Sequence, residues 1–336
     1  MLSIPRADSR TPTTVMAILE CENLNVRFKT ANGHVTVVND LNFTLETGEC
    51  LGIVGESGSG KSQTFLASLG LLAENGTATG SVRFHGKDIL NTSRRHLDEI
   101  RGDKIAMVFQ DALSGLTPTM RVGQQLAECL IRHHGIRSAE ARRRTIEILE
   151  MVNIPDAEKR YRAYPFELSG GMRQRVMIAM AMICKPEILI ADEPTTALDV
   201  TVQAQVLRLL EGLKQHTGTA IVLITHDLAV VAGLCDRVII MYAGRAIESA
   251  STADIFRRPQ HPYTRGLLKS VPTLQDDPAI ELPTIAGQPP DLEKLPGGCA
   301  FADRCPQVMD RCSRETPRLK TILPGHQRAC HLEIEQ

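Results

Sequence analysis

Short apolar runs and longer amphipathic stretches alternate along most of the chain. The apolar runs lie at 50–54, 105–109, 188–191, 220–224 and 238–242. Such runs are typical of strands that are buried on both faces of a sheet. Between them, apolar residues recur at helical spacing over 63–72, 122–152, 176–183 and 202–216. Strands that alternate with helices predict a mainly parallel sheet.

The N-terminal part of the chain has a different pattern. Apolar and polar residues alternate from Leu24 to Phe28, which predicts a half-buried strand. Asn32-Gly33 is a hairpin signal, and 35–45 supplies a returning strand. We therefore expect an antiparallel β layer before the first buried strand. Phe28 has two interpretations that the sequence leaves open, a core residue or a ring that stacks on a base.

Composition limits the class of protein. The chain has 336 residues, 43% of them hydrophobic, which suits one large domain plus an extension. A net charge of −1 gives no basic field for nucleic acid. No apolar run approaches the roughly 20 residues that cross a bilayer. Residues 1–16 are polar and lack the apolar core of a signal peptide, so we expect a disordered tail and a cytoplasmic protein.

The segment Gly55–Ser62 has the pattern G-x-x-x-x-G-K-S between a predicted strand and a predicted helix. Its glycines allow backbone N–H groups to face one anion, and the helix N-terminus adds partial positive charge. Lys61 would reach the outer phosphates, and the Ser62 hydroxyl would hold Mg²⁺. The alternative is a plain glycine-rich turn. The flanking strand and helix favour a nucleoside triphosphate site.

Two further segments suit phosphate chemistry. Ser169–Gly171 precedes an apolar helix and could receive an anion, although Ser and Gly also simply start helices. Asp192 and Glu193 follow the strand at 188–191, where adjacent carboxylates suit Mg²⁺ and a water nucleophile. A surface acid is the alternative for Glu193.

The nine cysteines fall into two groups. Five lie among apolar neighbours and are expected to be small buried hydrophobes: Cys21, Cys50, Cys129, Cys184 and Cys235. Four crowd a Pro-rich C-terminal stretch: Cys299, Cys305, Cys312 and Cys330. Their spacing matches neither the tight pairs of zinc knuckles nor common ferredoxin patterns, so Zn²⁺, a [4Fe–4S] cluster and unliganded thiols all stay open. A structural centre would help to fold an extension with little core of its own.

Over about residues 18–250 the chain resembles an ABC-transporter ATPase. The matching pieces, in family order, are Phe28 at the aromatic loop, Gly55–Ser62 as Walker A, Gln110 as the Q-loop, Leu168–Met172 as the signature, Ile188–Asp192 as Walker B, Glu193 beside it, Ala197-Leu198-Asp199 as the D-loop and His226 as the switch histidine. Met172 departs from the common signature, which carries Gln there.

The resemblance implies an α/β fold. It comprises an antiparallel β subdomain, a mainly parallel RecA-like core, a helical insert at about 111–169 and a small Cys-rich extension. The implied boundaries are a tail at 1–16, the ATPase domain at 17–258 and the extension at 259–336.

The resemblance also implies site roles, in a dimer that holds ATP between Walker A of one subunit and the signature of its partner. The ATP and Mg²⁺ ligands would be Phe28, Gly55, Ser57, Gly58, Ser59, Gly60, Lys61, Ser62, Gln110 and Asp192, with Ser169 and Gly171 serving the partner's nucleotide. The metal would lie at Ser62, Gln110 and Asp192. Catalysis would rest on Glu193 as general base or water-positioner, with Lys61, Gln110 and His226.

The segment His261-Pro262-Tyr263-Thr264 and the cysteine-bearing tail are similar to the D-type ATPases of bacterial peptide importers, in particular oligopeptide permeases. This implies an F-type ATPase partner, two transmembrane permeases, an extracytoplasmic peptide-binding protein, no nucleic acid, and a peripheral place on the cytoplasmic face of the inner membrane. It also favours [4Fe–4S] over zinc at Cys299, Cys305, Cys312 and Cys330. Importers of dipeptides, glutathione or nickel, and soluble ABC ATPases, are the alternatives.

Overall fold

The computed structural model describes residues 17–111, 115–196, 199–271 and 283–333, so the predicted tail at 1–16 lies outside it. Within those ranges the chain forms two β-sheets with helices around them. The strands are β1 (Ala17–Thr30), β2 (Gly33–Glu46), β3 (Cys50–Val54), β4 (Gly76–Phe84), β5 (Lys87–Asp88), β6 (Ile105–Val108), β7 (Ile188–Asp192), β8 (Ala220–Thr225), β9 (Arg237–Tyr242), β10 (Arg245–Ser251), β11 (Lys320–Leu323) and β12 (His326–Arg328). The helices are α1 (Lys61–Ser68), α2 (Arg94–Ile100), α3 (Val122–His134), α4 (Ser138–Met151), α5 (Ala157–Arg160), α6 (Gly170–Met182), α7 (Val200–Thr217), α8 (Leu228–Leu234), α9 (Thr252–Arg257), α10 (Pro262–Lys269) and α11 (Asp310–Arg314).

The smaller sheet is antiparallel and has the strand order β2-β1-β4-β5. β1 and β2 form the predicted hairpin, in which Thr30 pairs with Gly33. Leu24 and Val26 are fully buried on its inner face, as their alternation with polar residues predicts. Together with β3 and α1, this sheet encloses the N-terminal core.

The larger sheet has the order β11-β12-β10-β9-β3-β8-β7-β6. β9, β3, β8, β7 and β6 run parallel, which confirms the prediction of a mainly parallel core. Every residue of β3, β7 and β8 is buried, which explains the apolar runs at 50–54, 188–191 and 220–224. β3 lies between β9 and β8, so the loop that follows it emerges beside the carboxyl ends of those strands.

Helices account for most of the chain between β6 and β7. The helical spacing over 122–152 corresponds to two helices, α3 and α4, which pack against each other. They are separate because Gly135 caps α3 with a φ of 64°, a left-handed conformation that glycine adopts readily. None of the described helices combines the length and apolar character that a membrane crossing needs.

The C-terminal extension joins the main core. β12 pairs with β10, placing Arg328 opposite Glu248 in the register, and β11 continues the same sheet. Phe301 is 2% exposed and packs its ring against Tyr242 and Tyr263. The extension therefore packs against the core formed by the preceding part of the chain. This agrees with the expectation that the extension has too little apolar sequence to form a core of its own.

Candidate functional site

The glycine-rich loop is clamped between the two sheets. A Cβ atom at Gly55 would lie 2.3 Å from the carbonyl oxygen of Met241 in β9. A Cβ atom at Gly60 would lie 2.2 Å from the carbonyl oxygen of Val37 in β2, and Gly60 has a φ of +94°. Glycine at both positions lets the loop pass between these strands and enter α1 at Lys61.

Lys61 folds over the loop that precedes it. Its Nζ donates hydrogen bonds to the carbonyl oxygens of Gly55 at 2.7 Å and Glu56 at 2.9 Å. Burial lowers the pKa of Lys61, and the carboxylates of Glu193, Asp192 and Glu56 act in the opposite direction. The loop thus surrounds a cationic group at the N-terminus of a helix, which is a place for an anion.

Other loop residues fit that ligand. Ser59 is 4% exposed, and its Oγ has no hydrogen-bond partner among the described residues. Ser57 and Gly58 are exposed at the tip, and a Cβ at Gly58 would meet nothing within 4 Å. A buried hydroxyl without a protein partner is costly unless a ligand completes it. The loop is therefore incomplete as a purely structural turn.

Ser62 and Asp192 meet at the carboxyl edge of the larger sheet. The Oγ of Ser62 donates to Oδ1 of Asp192 at 2.9 Å, although the two residues are far apart in the sequence. Asp192 ends β7 and is 6% exposed; burial raises its pKa, against the lowering effect of Ser62. A hydroxyl beside a carboxylate at a phosphate loop offers the hard oxygen ligands that Mg²⁺ prefers.

Three residues converge at Glu193, two of which the sequence predicts. Its Oε2 accepts hydrogen bonds from Gln110 Nε2 at 2.9 Å and from Thr196 Oγ1 at 2.8 Å, and its Oε1 lies 3.3 Å from His226 Nδ1. Burial alone would raise the pKa of Glu193, but the bonds from Thr196 and His226 outweigh it and lower that pKa. Glu193 is therefore an oriented, ionised carboxylate. Sequence reasoning missed Thr196; its signal is a Thr three positions after a strand-end acid.

Ser169 and Gly171 occupy a separate helix start. Ser169 is exposed and caps α6, where its Oγ accepts from Met172 N at 3.3 Å. A Cβ at Gly171 would lie 2.8 Å from Val202 Cγ1, so glycine allows α6 and α7 to approach closely. Within one chain this helix start faces outward.

Two predicted positions add less to the site. Phe28 is half-buried against the N-terminal core, and a Cβ at Gly76 would lie 2.7 Å from its ring. Of the predicted D-loop, Ala197 and Leu198 lie outside the described residues, whereas Asp199 caps α7 by accepting from Val202 N at 2.9 Å.

The four C-terminal cysteines line one small cavity, although they are spread along the tail. They are Cys299, Cys305, Cys312 and Cys330, and all are free thiols. Cys299 N donates to the carbonyl oxygen of Cys312 at 2.7 Å. Burial raises the pKa of Cys299 to about 11, and the other three cysteines add to the shift. Four thiols around one cavity suit a metal centre, because a bound cation would favour their thiolate forms and offset the repulsion among them.

The loop around Lys61, the Ser62–Asp192 pair and the carboxylate of Glu193 between Gln110 and His226 define a P-loop nucleotide site of the ATP-binding cassette class. The ABC transporter family matches residues 38–196. The family described as the C-terminal region of oligopeptide/dipeptide transporters matches residues 247–312.

Similar proteins include two relatives along nearly the whole chain. The oligopeptide transport ATP-binding protein OppD of Salmonella typhimurium is 52% identical over 335 residues, covering 100% of this chain and 99% of the relative. OppD of Escherichia coli is 53% identical over 320 residues, 95% of this chain and 94% of the relative. The chain belongs to this family of ABC transporter ATP-binding proteins.

A solved structure supports the fold. The dimeric structure of MJ0796, a bacterial ABC transporter cassette, superposes with a TM-score of 0.63 at 29% identity. The match covers 70% of this chain and 98% of that one.

Proposed function

We propose that this chain is the ATP-hydrolysing subunit that energises an oligopeptide importer. The observation that carries the proposal is the phosphate loop with Lys61 folded over it, beside the oriented carboxylate of Glu193. The 52% identity to an oligopeptide transport ATP-binding protein supports the type of transporter. Transport would depend on ATP turnover at this site. We propose the implied division into an ATPase domain at 17–258, with its insert at 111–169, and an extension at 259–336.

The residues at the loop fit Mg·ATP. Lys61, the unpartnered Ser59 hydroxyl and the backbone N–H groups at the start of α1 would bind phosphate oxygens, together with Gly55, Ser57, Gly58 and Gly60. Ser62 and Asp192 would hold Mg²⁺, with Gln110 close by, and the Phe28 ring would face the base. When bound, Mg²⁺ neutralises charge on the phosphates.

Glu193 would position the attacking water and accept its proton. Gln110, Thr196 and His226 surround its carboxylate and fix its orientation, and His226 would also reach the terminal phosphate. Catalysis of this kind depends on positioning and on charge stabilisation. Ser169 and Gly171 would contact the nucleotide held by a partner ATPase, because their helix start faces outward.

The proposed partners are an F-type ATPase subunit, two permeases docked at the helical insert, and a peptide-binding protein outside the membrane. The chain would lie at the cytoplasmic face of the inner membrane. Co-expression with the neighbouring permease and ATPase genes should yield a stable complex whose peptide uptake stops with Lys61→Ala. A complex that carries nickel, glutathione or only dipeptides would reject the oligopeptide cargo.

At the four cysteines we propose a [4Fe–4S] cluster, with zinc as the alternative. Four free thiols around one cavity support a metal centre, whose binding would stabilise the fold of the extension. Anaerobic purification should give iron absorbance and iron content, and both should fall in Cys305→Ser but not in Cys129→Ser. A preparation with neither iron nor zinc would contradict a metal centre here.

A further inference from the structure

Glu56 connects the phosphate loop with the C-terminal extension. Its carbonyl oxygen accepts a hydrogen bond from Lys61 Nζ at 2.9 Å. Its carboxylate accepts from both terminal nitrogens of Arg304, at 2.8 and 3.0 Å. A bidentate pair fixes the relative orientation of both groups. One loop residue therefore contacts the phosphate-binding lysine and the extension at the same time.

Arg304 is held from several sides. Its Nη1 also donates to Tyr242 Oη at 3.2 Å, and its Nε donates to the carbonyl oxygen of Ala286 at 3.0 Å. Its side chain is only 7% exposed. Because the Arg304 guanidinium is shielded from water, removing the Glu56 carboxylate would leave its charge poorly solvated. The loop cannot shift at Glu56 without disturbing this contact.

A second contact reaches the backbone of Glu56. Its N–H donates to Tyr263 Oη at 3.1 Å. Tyr263 is fully buried, and its ring centroid lies 5.4 Å from that of Phe301. Phe301 and Arg304 both lie between Cys299 and Cys305 in the sequence. The segment that carries two of the cysteines thus contacts Glu56 directly through Arg304 and indirectly through Tyr263.

The turn that positions Arg304 also positions Cys305. Residues Ala302–Arg304 form a 3₁₀ turn, and Cys305 N donates to the carbonyl oxygen of Ala302 at 3.2 Å. A centre that joins Cys305 to the other three cysteines would fix this turn. It would thereby hold the Arg304 guanidinium against Glu56.

We propose that Arg304 is a positioning residue for the phosphate loop, and that a metal centre at the four cysteines raises nucleotide affinity through it. This rests on the proposed function, since it requires ATP at the loop and a metal at the cysteines. Arg304 acts on Lys61 only through Glu56, which bonds to both residues. Because coupling is reciprocal, bound ATP also holds the metal centre more tightly.

The first experiment measures affinity. The full chain, purified anaerobically with its metal content determined, is titrated with a fluorescent ATP analogue and Mg²⁺. We expect Arg304→Gln and Glu56→Gln each to weaken binding about tenfold. The double variant should bind no more weakly than Arg304→Gln, because both changes remove one shared interaction. Wild-type affinity in both single variants would overturn the proposal.

Two features of this design separate positioning from general damage. Glu56→Gln is isosteric and leaves the sequence of the extension unaltered, so it tests the contact even if Arg304→Gln holds less metal. Arg311→Gln is the matched control, since Arg311 pairs with Glu315 on the surface of the extension and is 61% exposed. It should bind the analogue as the wild type does.

The second experiment tests the link to the cysteines. A chelator removes the metal from the wild type and from Arg304→Gln, and each protein is titrated again. Metal removal should weaken analogue binding about tenfold in the wild type and have no effect in Arg304→Gln. Mg·ATP should also slow metal release to the chelator, followed by its absorbance, in the wild type alone. Equal effects in both proteins would overturn the proposal.

The results also separate this inference from the proposed function. Failure to bind the ATP analogue would contradict the proposed ATPase function, and the lack of a metal at the cysteines would contradict the proposed metal centre. A chain that binds both, each with an affinity independent of the other, contradicts only the coupling.

Discussion

Glu193 shows how one side chain acquires a role from its neighbours. It directly follows β7 with a φ of 45°, a left-handed backbone conformation that is uncommon outside glycine. This bend, together with Gln110, Thr196 and His226, places the carboxylate in a network of polar groups. Strain at such a position is typical of functional residues.

Replacing Glu193 with Gln should separate binding from hydrolysis. The amide keeps the shape of the side chain but is a poor base, so we expect the hydrolysis rate to fall on the order of 10²–10⁴-fold while ATP still binds. Phosphate release and binding of a fluorescent analogue measure the two effects. Glu187→Gln, just before the same strand, is the matched control. Near-normal turnover by Glu193→Gln would reject the catalytic role.

Glu248 is a buried acid with a structural role. It is fully buried, and its carboxylate accepts hydrogen bonds from the N–H groups of Gln260 at 2.6 Å and His261 at 2.9 Å, with His326 Nε2 at 2.8 Å. Burial alone would raise the pKa of Glu248, but these contacts outweigh it and lower that pKa below 4.5. The charged form is thus built into the fold.

The stability that Glu248 contributes should depend on pH. Because its pKa is lower in the folded state, the contribution is complete above the ordinary glutamate pKa of 4.5 and is lost as pH falls through the folded-state pKa. Glu248→Gln should lower the unfolding free energy by about 3 kcal/mol at pH 7, and by less in acid. Urea denaturation at several pH values measures this difference. Glu147→Gln, an exposed control, should show little change; a constant deficit for Glu248→Gln across acid pH would contradict the assignment.

At the scale of elements, the phosphate loop depends on the two sheets that enclose it. Gly60 faces a backbone carbonyl of β2, and Gly55 faces one of β9. Backbone atoms in paired strands cannot move aside as a flexible side chain can. The shape of the loop is therefore set by strands from both ends of the cassette.

Gly60→Ala should disable the loop without unfolding the chain. The added methyl group would meet the Val37 carbonyl oxygen at 2.2 Å, so the loop must shift, and we expect nucleotide affinity to fall at least about tenfold. Gly212→Ala is the control, since a Cβ there meets nothing within 4 Å. It should stabilise α7 by about 0.5–1 kcal/mol. Unchanged analogue binding by Gly60→Ala would show that the neighbouring strand can move to accommodate the methyl group.

Elements with a strong hydrophobic pattern could be predicted from the sequence, and short elements with weak local signals could not. β3, β7 and β8 contain the apolar runs at 50–54, 188–191 and 220–224, because both faces of these strands are buried. The β11–β12 hairpin was missed, because its short strands depend on pairing with β10. α8 was also missed, since its seven residues give too few turns for a period to emerge.

The site was predictable only where it follows a motif. The meeting of Ser62 with Asp192 follows from strand order, because parallel strands end at one edge of the sheet. The contact of Arg304 with Glu56 carries no sequence signal, since it joins residues on distant segments without a shared motif. The convergence of the four cysteines on one cavity likewise depends on the fold of the extension.

At the scale of the whole molecule, the two helix starts at α1 and α6 are not equivalent. The start of α1 faces the phosphate loop of its own chain, whereas Ser169 at the start of α6 is exposed. An exposed helix N-terminus that lies outside the phosphate loop of its own chain suits a ligand shared with a partner. The catalytic unit is then larger than this chain.

Ser169→Arg should test that arrangement in the assembled transporter. The bulky side chain would block the approach of the partner's nucleotide, so ATP hydrolysis should fall at least about tenfold. Binding of ATP analogue to the isolated chain should not change, because Ser169 lies outside its own phosphate loop. Ser93→Arg is the matched control, since Ser93 is an exposed cap at the start of α2, outside the helical insert. Weakened binding in the isolated chain would contradict the separation of the two helix starts.

The pairing of β12 with β10 limits how the chain can be shortened. A protein cut after residue 258 would present β10 as a bare sheet edge, and such edges recruit strands from other molecules. The buried Glu248 carboxylate would also lose its contact with the imidazole of His326. The truncated ATPase should therefore be prone to self-association. The C-terminal extension thus protects the chain from aggregation by covering the edge of β10.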